Sequence, residues 1–345
     1  MHRRLFAALA ALTLLPAASA CAAPGQTAEI PAKLQWKINP RDNTSDGKIN
    51  FELSYRTANS RSSWGRTMDV ADLQGLDPAL LKTGSTVVRF RIVRDAGNFE
   101  CEGTVWHGSG TGECSFAPGR DFAADLAKGG YGTPGDVQLF HLAMADIGRA
   151  WLAEAARQGY AKPDIAGLVD AGNHGIHLTY LTQMGALGYH VGTLPALVTM
   201  RDHGVGPDYI KSVVAAGLGD LPPATLVEMR DHGVSAAYIG QLRQLGYAQV
   251  GVDKLIELRD HGISADYVAS LSENGLKSLP LDDLVMLRDH GVSASYVAGL
   301  RTAGYTEFTP ADFVRLRDHG VSSDFAARAG TGHTAEDLIR LRNGG

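Results

Sequence analysis

A carboxylate beside an imidazole recurs five times in this chain at a fixed interval. Arg-Asp-His-Gly occurs at Arg201, Arg230, Arg259, Arg288 and Arg317, always 29 residues apart. Asp and His together supply general acid–base chemistry or metal ligation, so Asp202/His203, Asp231/His232, Asp260/His261, Asp289/His290 and Asp318/His319 are the first residues to weigh. A metal array on these histidines and His174 fails on geometry. Equivalent positions on stacked helices lie roughly 10 Å apart, whereas zinc holds its nitrogens at about 2.0–2.1 Å. No His-Glu-x-x-His and no Gly-x-Ser-x-Gly elbow is present. The run Gly108-Ser-Gly-Thr-Gly112 is followed by no Lys and joins two strand-like segments, which excludes a phosphate loop. No catalytic residue, metal ligand or cofactor site is assigned.

The repeated motif has a local structural reading. In the copy over Val252 to Leu276, Leu255 and Leu258 share one helix face and Gly262 stops the helix. His261 is then the cap residue, and Leu258 meets Ile263 in a Schellman contact. Ser264 starts a second helix with Asp266 in its first turn. Tyr267, Val268 and Leu271 form its apolar stripe, and Gly275 ends it. Arg suits the negative helix end, and a cap His can reach a carbonyl. The Asp faces the unfavourable end of the dipole, so it needs a partner. The expectation is an Arg of the adjacent repeat, giving an Arg–Asp ladder. A contact stripe for a binding partner along the same Asp and His columns is the functional alternative.

The repeat extends beyond the clear copies. Gly172-Asn-His-Gly175 is a degraded motif, and Ala143 to Trp151 keeps its apolar skeleton. An aromatic column runs through Trp151, Tyr180, Tyr209, Tyr238, Tyr267, Tyr296 and Phe325 at the same period. Such a period marks a repeat architecture. Each unit is two helices of about ten residues, too short to be stable alone, so neighbours must stack. Thr334 to Asn343 repeats the first-helix pattern after a shortened interval and reads as a terminal cap.

Ahead of the repeats the period changes. Lys33 to Ile38, Ile49 to Tyr55 and Thr86 to Val93 alternate like strands. Asp72 to Leu81 reads as a short helical turn, Asp121 to Lys128 as a closing helix. The fold class is α+β: a small β-rich N-terminal domain, sandwich or curled sheet, followed by an all-α solenoid of about seven 29-residue helix-pair repeats. The expected boundaries are a signal peptide over 1–20, a tether over 21–32, the β-rich domain with its closing helix over 33–130, and the solenoid over 131–345.

Met1-His-Arg-Arg4 is basic, Leu5 to Pro16 apolar, and Ala18-Ser19-Ala20 a small-residue cleavage site. Cleavage leaves Cys21 first, and Ala-Ser-Ala-Cys is a weak lipobox. The product is a plain secreted protein or a lipoprotein anchored through Cys21. Cys101 and Cys114 fall opposite each other if the hairpin turns at His107-Gly108. Outside the cytoplasm they pair as a disulfide; the alternative is two free buried thiols. Trp106 and His107 at that turn either bind a ligand or pack on their own sheet.

Composition narrows the partners. The formal charge is −5, and −7 without the segment carrying Arg3 and Arg4, which argues against nucleic acid. No later segment is apolar enough to span a membrane. The membrane is reached only through a lipid on Cys21. The expected place is outside the cytoplasm: periplasmic, or on the outer membrane if Cys21 is lipidated.

The text Leu-x-x-Leu-Arg-Asp-His-Gly-Val-Ser-x-x-Tyr-Val, with Gly-Tyr ending the second helix, resembles the exported helical repeats appended to some BlaR1-type membrane metallopeptidase homologues of proteobacteria and their free-standing relatives. Phe90 to Gly103 resembles the β-domain that accompanies those repeats. The resemblance covers roughly residues 33–345, without the membrane helices and zinc motif of the peptidase. It implies an envelope-facing sensing or recognition module, and no catalytic residue carries over. The functional expectation is a non-catalytic scaffold or sensing protein that binds an envelope protein or peptide through the repeats. The alternative is a small-ligand or envelope-polymer binding protein acting through the β-rich domain.

Overall fold

The structure is a computed structural model that describes residues 30, 33–39, 47–56 and 61–344. The expected signal peptide, nearly all of the tether, and Cys21 lie outside the described residues.

Six strands form one antiparallel sheet: β1 Leu34–Asn39, β2 Lys48–Arg56, β3 Arg61–Asp69, β4 Thr86–Arg94, β5 Gly97–Trp106 and β6 Ser109–Pro118. Their order is β3-β2-β1-β6-β5-β4. Alternation puts Leu34, Trp36 and Ile38, then Ile49, Phe51 and Leu53, then Val88, Phe90 and Ile92 on one buried face. In a flat sheet β2 and β4 would lie about 19 Å apart. Yet the rings of Phe51 and Phe90 are 6.1 Å apart, and Trp36 meets Phe90 at 5.1 Å. The sheet is therefore curled around its core, which settles the choice between sandwich and curled sheet. Two 3-10 turns, Val70–Asp72 and Pro78–Lys82, link β3 to β4 where one helical turn was expected.

Trp36 explains the glycine-rich hairpin. A Cβ on Gly103, Gly110 or Gly112 would fall 2.5, 2.8 or 2.5 Å from its indole. The three glycines leave the flat bed on which the ring lies, and its N–H donates to the Glu102 carbonyl at 3.0 Å. The hairpin turns at His107 and Gly108, both with positive φ. That register sets Cys101 opposite Cys114, and the two are disulfide-bonded.

Helix α1, Arg120–Lys128, buries Phe122 and Leu126. Beyond it the helices come in two series. The first helices are α2 Asp136–Ala145, α4 Ile165–Asn173, α6 Leu194–Asp202, α8 Pro223–Asp231, α10 Val252–Asp260, α12 Leu281–Asp289, α14 Pro310–Asp318 and the terminal α16 Ala335–Arg342. Between them lie α3 Arg149–Arg157, α5 Leu178–Ala186, α7 Pro207–Val213, α9 Ala236–Gln244, α11 Ala265–Glu273, α13 Ala294–Thr302 and α15 Ser323–Ala329. First helices stack on first helices and second on second, as in α12 on α14 and α13 on α15. The turns form as their residues dictate. The Gly262 and Ile263 amides donate to the Arg259 and Leu258 carbonyls at 3.0 and 2.8 Å, a Schellman motif. Ser264 caps α11 by accepting from the Tyr267 amide at 3.1 Å.

Sheet and stack share one hydrophobic core. Phe140 of α2 meets Tyr55, Phe99 and Phe116 edge-on at 5.4, 6.2 and 5.3 Å. Arg149 pairs with Asp95 and Asp125 across the same junction. The sheet thus covers the end of the stack that α2 would otherwise expose.

Candidate functional site

Each Arg-Asp-His-Gly copy makes its contacts with the neighbouring repeat. The imidazole Nδ1 of one repeat bonds the carboxylate 28 residues on: His174 with Asp202 at 2.8 Å, His203 with Asp231 at 2.6 Å, His261 with Asp289 at 2.7 Å and His290 with Asp318 at 2.9 Å. His232 pairs with Asp260 in the same way. This corrects the expected Arg–Asp ladder: the partner of each aspartate is a histidine. It also corrects the reading of the cap, because the ring reaches a carboxylate instead of a carbonyl.

The arginine goes elsewhere. Arg201, Arg230, Arg259, Arg288 and Arg317 lie 4.9–5.3 Å over the rings of Tyr180, Tyr209, Tyr238, Tyr267 and Tyr296 of the preceding repeat. Each guanidinium also packs on the preceding motif's glycine. A Cβ on Gly204 or Gly233 would come within 3.1 or 3.2 Å of it. The tyrosine hydroxyl then donates one repeat further along, Tyr238 to the Ile263 carbonyl at 2.8 Å and Tyr267 to that of Val292 at 2.8 Å. Trp151 performs the same task through its indole N–H, to the Ile176 carbonyl at 2.6 Å. Tyrosine, arginine and the turn glycine therefore form one interlocked joint per step.

The degraded copies fit this pairing. The repeat built on α2 offers Ala145 where the others have His, and the next repeat has Asn173 where the others have Asp. Gly172 replaces Arg, and a Cβ there would sit 2.6 Å from that of Ala145, so α4 closes directly onto α2. Asp146 takes the place of the turn glycine in a left-handed conformation, φ 57°, with a carboxylate oxygen 3.1 Å from Arg94. At the other end Arg342 covers Phe325 and Asn343 stands where the aspartate would be, so His319 has no aspartate partner among the described residues.

Charge and protonation follow from the geometry. The hydrogen bonds to Asp202 and Asp260 raise the pKa values of His174 and His232 above the ordinary imidazole value. Burial pushes Tyr180, Tyr238, Tyr267 and Tyr296 up to about 12. The ladder side chains remain 37–48% exposed, so a fixed row of half-exposed pairs lines one edge of the stack. Among the described residues each step from His203 to His290 uses Nδ1 and one carboxylate oxygen, and Nε2 takes no hydrogen bond. Among the described residues no three His, Cys, Asp or Glu side chains converge as a metal site. The chain matches no family model, no curated protein and no solved structure.

A concave site that the sequence did not announce lies where the sheet meets the first repeats. Tyr55, Ser63 and Trp64 on the sheet face His141, Met144, Asn173 and His177 across a cavity of about 310 Å³. Burial lowers the pKa of His141, which favours its uncharged form. A trough of about 520 Å³ continues past Thr67, Met68, Asp69 and Asp72 to Gln183 and Asp208. Gly175 and His177 line both spaces, which are therefore neighbours. By contrast Trp106, at the hairpin tip, lines neither of these spaces.

Proposed function

We propose that this chain is a non-catalytic interaction protein of the cell envelope that binds a protein or peptide along the His–Asp edge of its repeats. The reading rests on one observation above all. The ladder holds imidazoles and carboxylates in a pre-ordered row whose outer atoms are not consumed by the fold. A partner matching that row loses little conformational freedom from this side, which favours affinity. The disulfide suits an oxidising compartment, and no helix among the described residues is long and apolar enough to cross a membrane. Together with the leader-like N-terminus they favour a periplasmic protein, or an outer-membrane lipoprotein if Cys21 carries lipid. The resemblance to envelope sensing modules points the same way.

The test is a cross-linking capture from intact envelopes with the full chain, wild type against Asp231→Lys/Asp260→Lys/Asp289→Lys. Loss of a captured protein, with the thermal unfolding profile kept, supports the reading. An identical captured set from both proteins rejects it. A second reading, ligand binding through the β-rich region, rests on the aromatic cavity beside β3.

A further inference from the structure

The two edges of the sheet are treated differently. The β4 edge is occupied: the Gln74 amide donates to the Arg91 carbonyl and the Arg91 amide to that of Gln74, both at 2.8 Å. The β3 edge carries no such partner strand among the described residues. Among the described residues no backbone hydrogen bond reaches this nine-residue strand along its length except from β2. Open edges invite pairing with another chain, and here the edge borders both spaces. Ser63 and Trp64 border the upper cavity, and Thr67 and Asp69 border the lower trough.

The two spaces differ in chemistry. Tyr55, Trp64, Met144 and the ring of His141 give the upper cavity an aromatic and apolar side, beside the polar Ser63, Asn173 and His177. Its volume of about 310 Å³ suits one large side chain. Asp69, Asp72 and Asp208 enter the lower trough with no ion pair of their own among the described residues. With Asp146 they make four carboxylates against two cations, Arg201 stacked on Tyr180 and Lys48 in an interaction of its own. The trough is left acidic. From Trp64 to Met68 is four residues, about 13 Å along a strand and back on the same face.

We propose that β3 is a docking edge for an extended peptide segment of a partner protein, added to the sheet as a further strand. The peptide carries a bulky aromatic or aliphatic side chain for the upper cavity and a Lys or Arg four residues away for the trough. Main-chain bonds to β3 supply affinity, and the two spaces supply selectivity, as in other strand-addition complexes. This site is separate from the His–Asp edge, so either can fail without the other.

The experiment titrates the full chain with the labelled peptide Thr-Trp-Thr-Val-Thr-Lys-Thr. Two versions N-methylated at alternating residues and one with Glu for Lys serve as comparisons. Saturable binding is expected, weakened at least about tenfold by one of the two N-methylation patterns and by Glu. Asp69→Lys/Asp208→Lys should reverse the preference between Lys and Glu peptides. Amide exchange in β3 should slow on binding. Absence of binding, or equal binding of every peptide, overturns the proposal. So does self-association of the chain through β3, or binding that appears only after residues 1–29 are removed, since either shows a different occupant. An identical captured set from the wild type and the ladder variant, with peptide binding intact, would reject only the reading given under Proposed function.

Discussion

His261 Nδ1 and the Asp289 carboxylate meet at 2.7 Å across the boundary between two repeats. The aspartate sits at the carbonyl end of α12, where its charge opposes the helix dipole. The imidazole N–H held against it by the preceding turn offsets that penalty. The pair therefore solves a local electrostatic problem with a neighbour's residue, and so couples the two repeats.

The ladder should respond to pH. His232 has a raised pKa in the folded chain because of Asp260. Its contribution is fully present below the ordinary imidazole pKa of about 6.5 and is lost as pH rises through the raised value. Asp260→Asn should return the His232 titration, followed by its imidazole NMR signals, to the ordinary range. An unchanged titration in the variant would show that the carboxylate is not the cause.

The Tyr–Arg joint is a second contact between repeats, on more buried residues. Tyr238→Phe removes the donor to the Ile263 carbonyl and should cost about 1–2 kcal/mol. Arg259→Lys keeps the charge and loses the flat stacking surface, and should cost about 0.5–2 kcal/mol. Denaturant unfolding of the full chain reads both. The tyrosines add an alkaline limit. Their raised pKa values mean that stability holds below the ordinary phenol pKa near 10 and is lost as pH climbs toward about 12. A phenolate absorbance titration checks it.

Glycines in this chain should divide by position. Gly112→Ala puts a Cβ 2.1 Å from the Glu102 carbonyl oxygen and 2.5 Å from the Trp36 indole nitrogen, and should lower the melting temperature steeply or prevent folding. Gly240→Ala, in α9 with nothing within 4 Å, should stabilise by about 0.5–1 kcal/mol. A stabilised Gly112→Ala protein would show that the indole bed is not needed.

Reduction of Cys101–Cys114, which closes a sequence separation of 13, should cost about 3 kcal/mol. The loss should register as faster amide exchange in β5 and β6 before the distal repeats, because stacked repeats respond mainly through their nearest neighbours. Uniform loosening from β1 to α16 would argue against that locality.

The repeats were legible because their punctuation is chemical. Gly262 and Ser264 dictate a stop and a start whatever lies beside them, and both act as their types require. The cross-repeat partners were not legible, because each aspartate has two plausible mates along the chain, the Arg and the His of a neighbour. Only the stacking offset decides between them. Strand β3 escaped for a different reason. Trp64 and Met68 stand four apart with Arg66 between them, which breaks the alternation that revealed β1 and β2. The two spaces beside it were therefore hidden as well. The glycines under Trp36 read as a loose turn because the ring that needs them lies more than sixty residues earlier.

Each step from α4 to α14 presents the same set, Tyr, His and Gly, and receives the same set, Arg and Asp, so the stack has a direction and a unit length. Deleting 29 residues between equivalent points, from Val234 to Gly262, would set His232 against Asp289 in the place that His261 now holds, without a new kind of contact. The span between the open strand edge and the closing helix α16 is thus adjustable only in whole repeats, like a ruler cut at its marks.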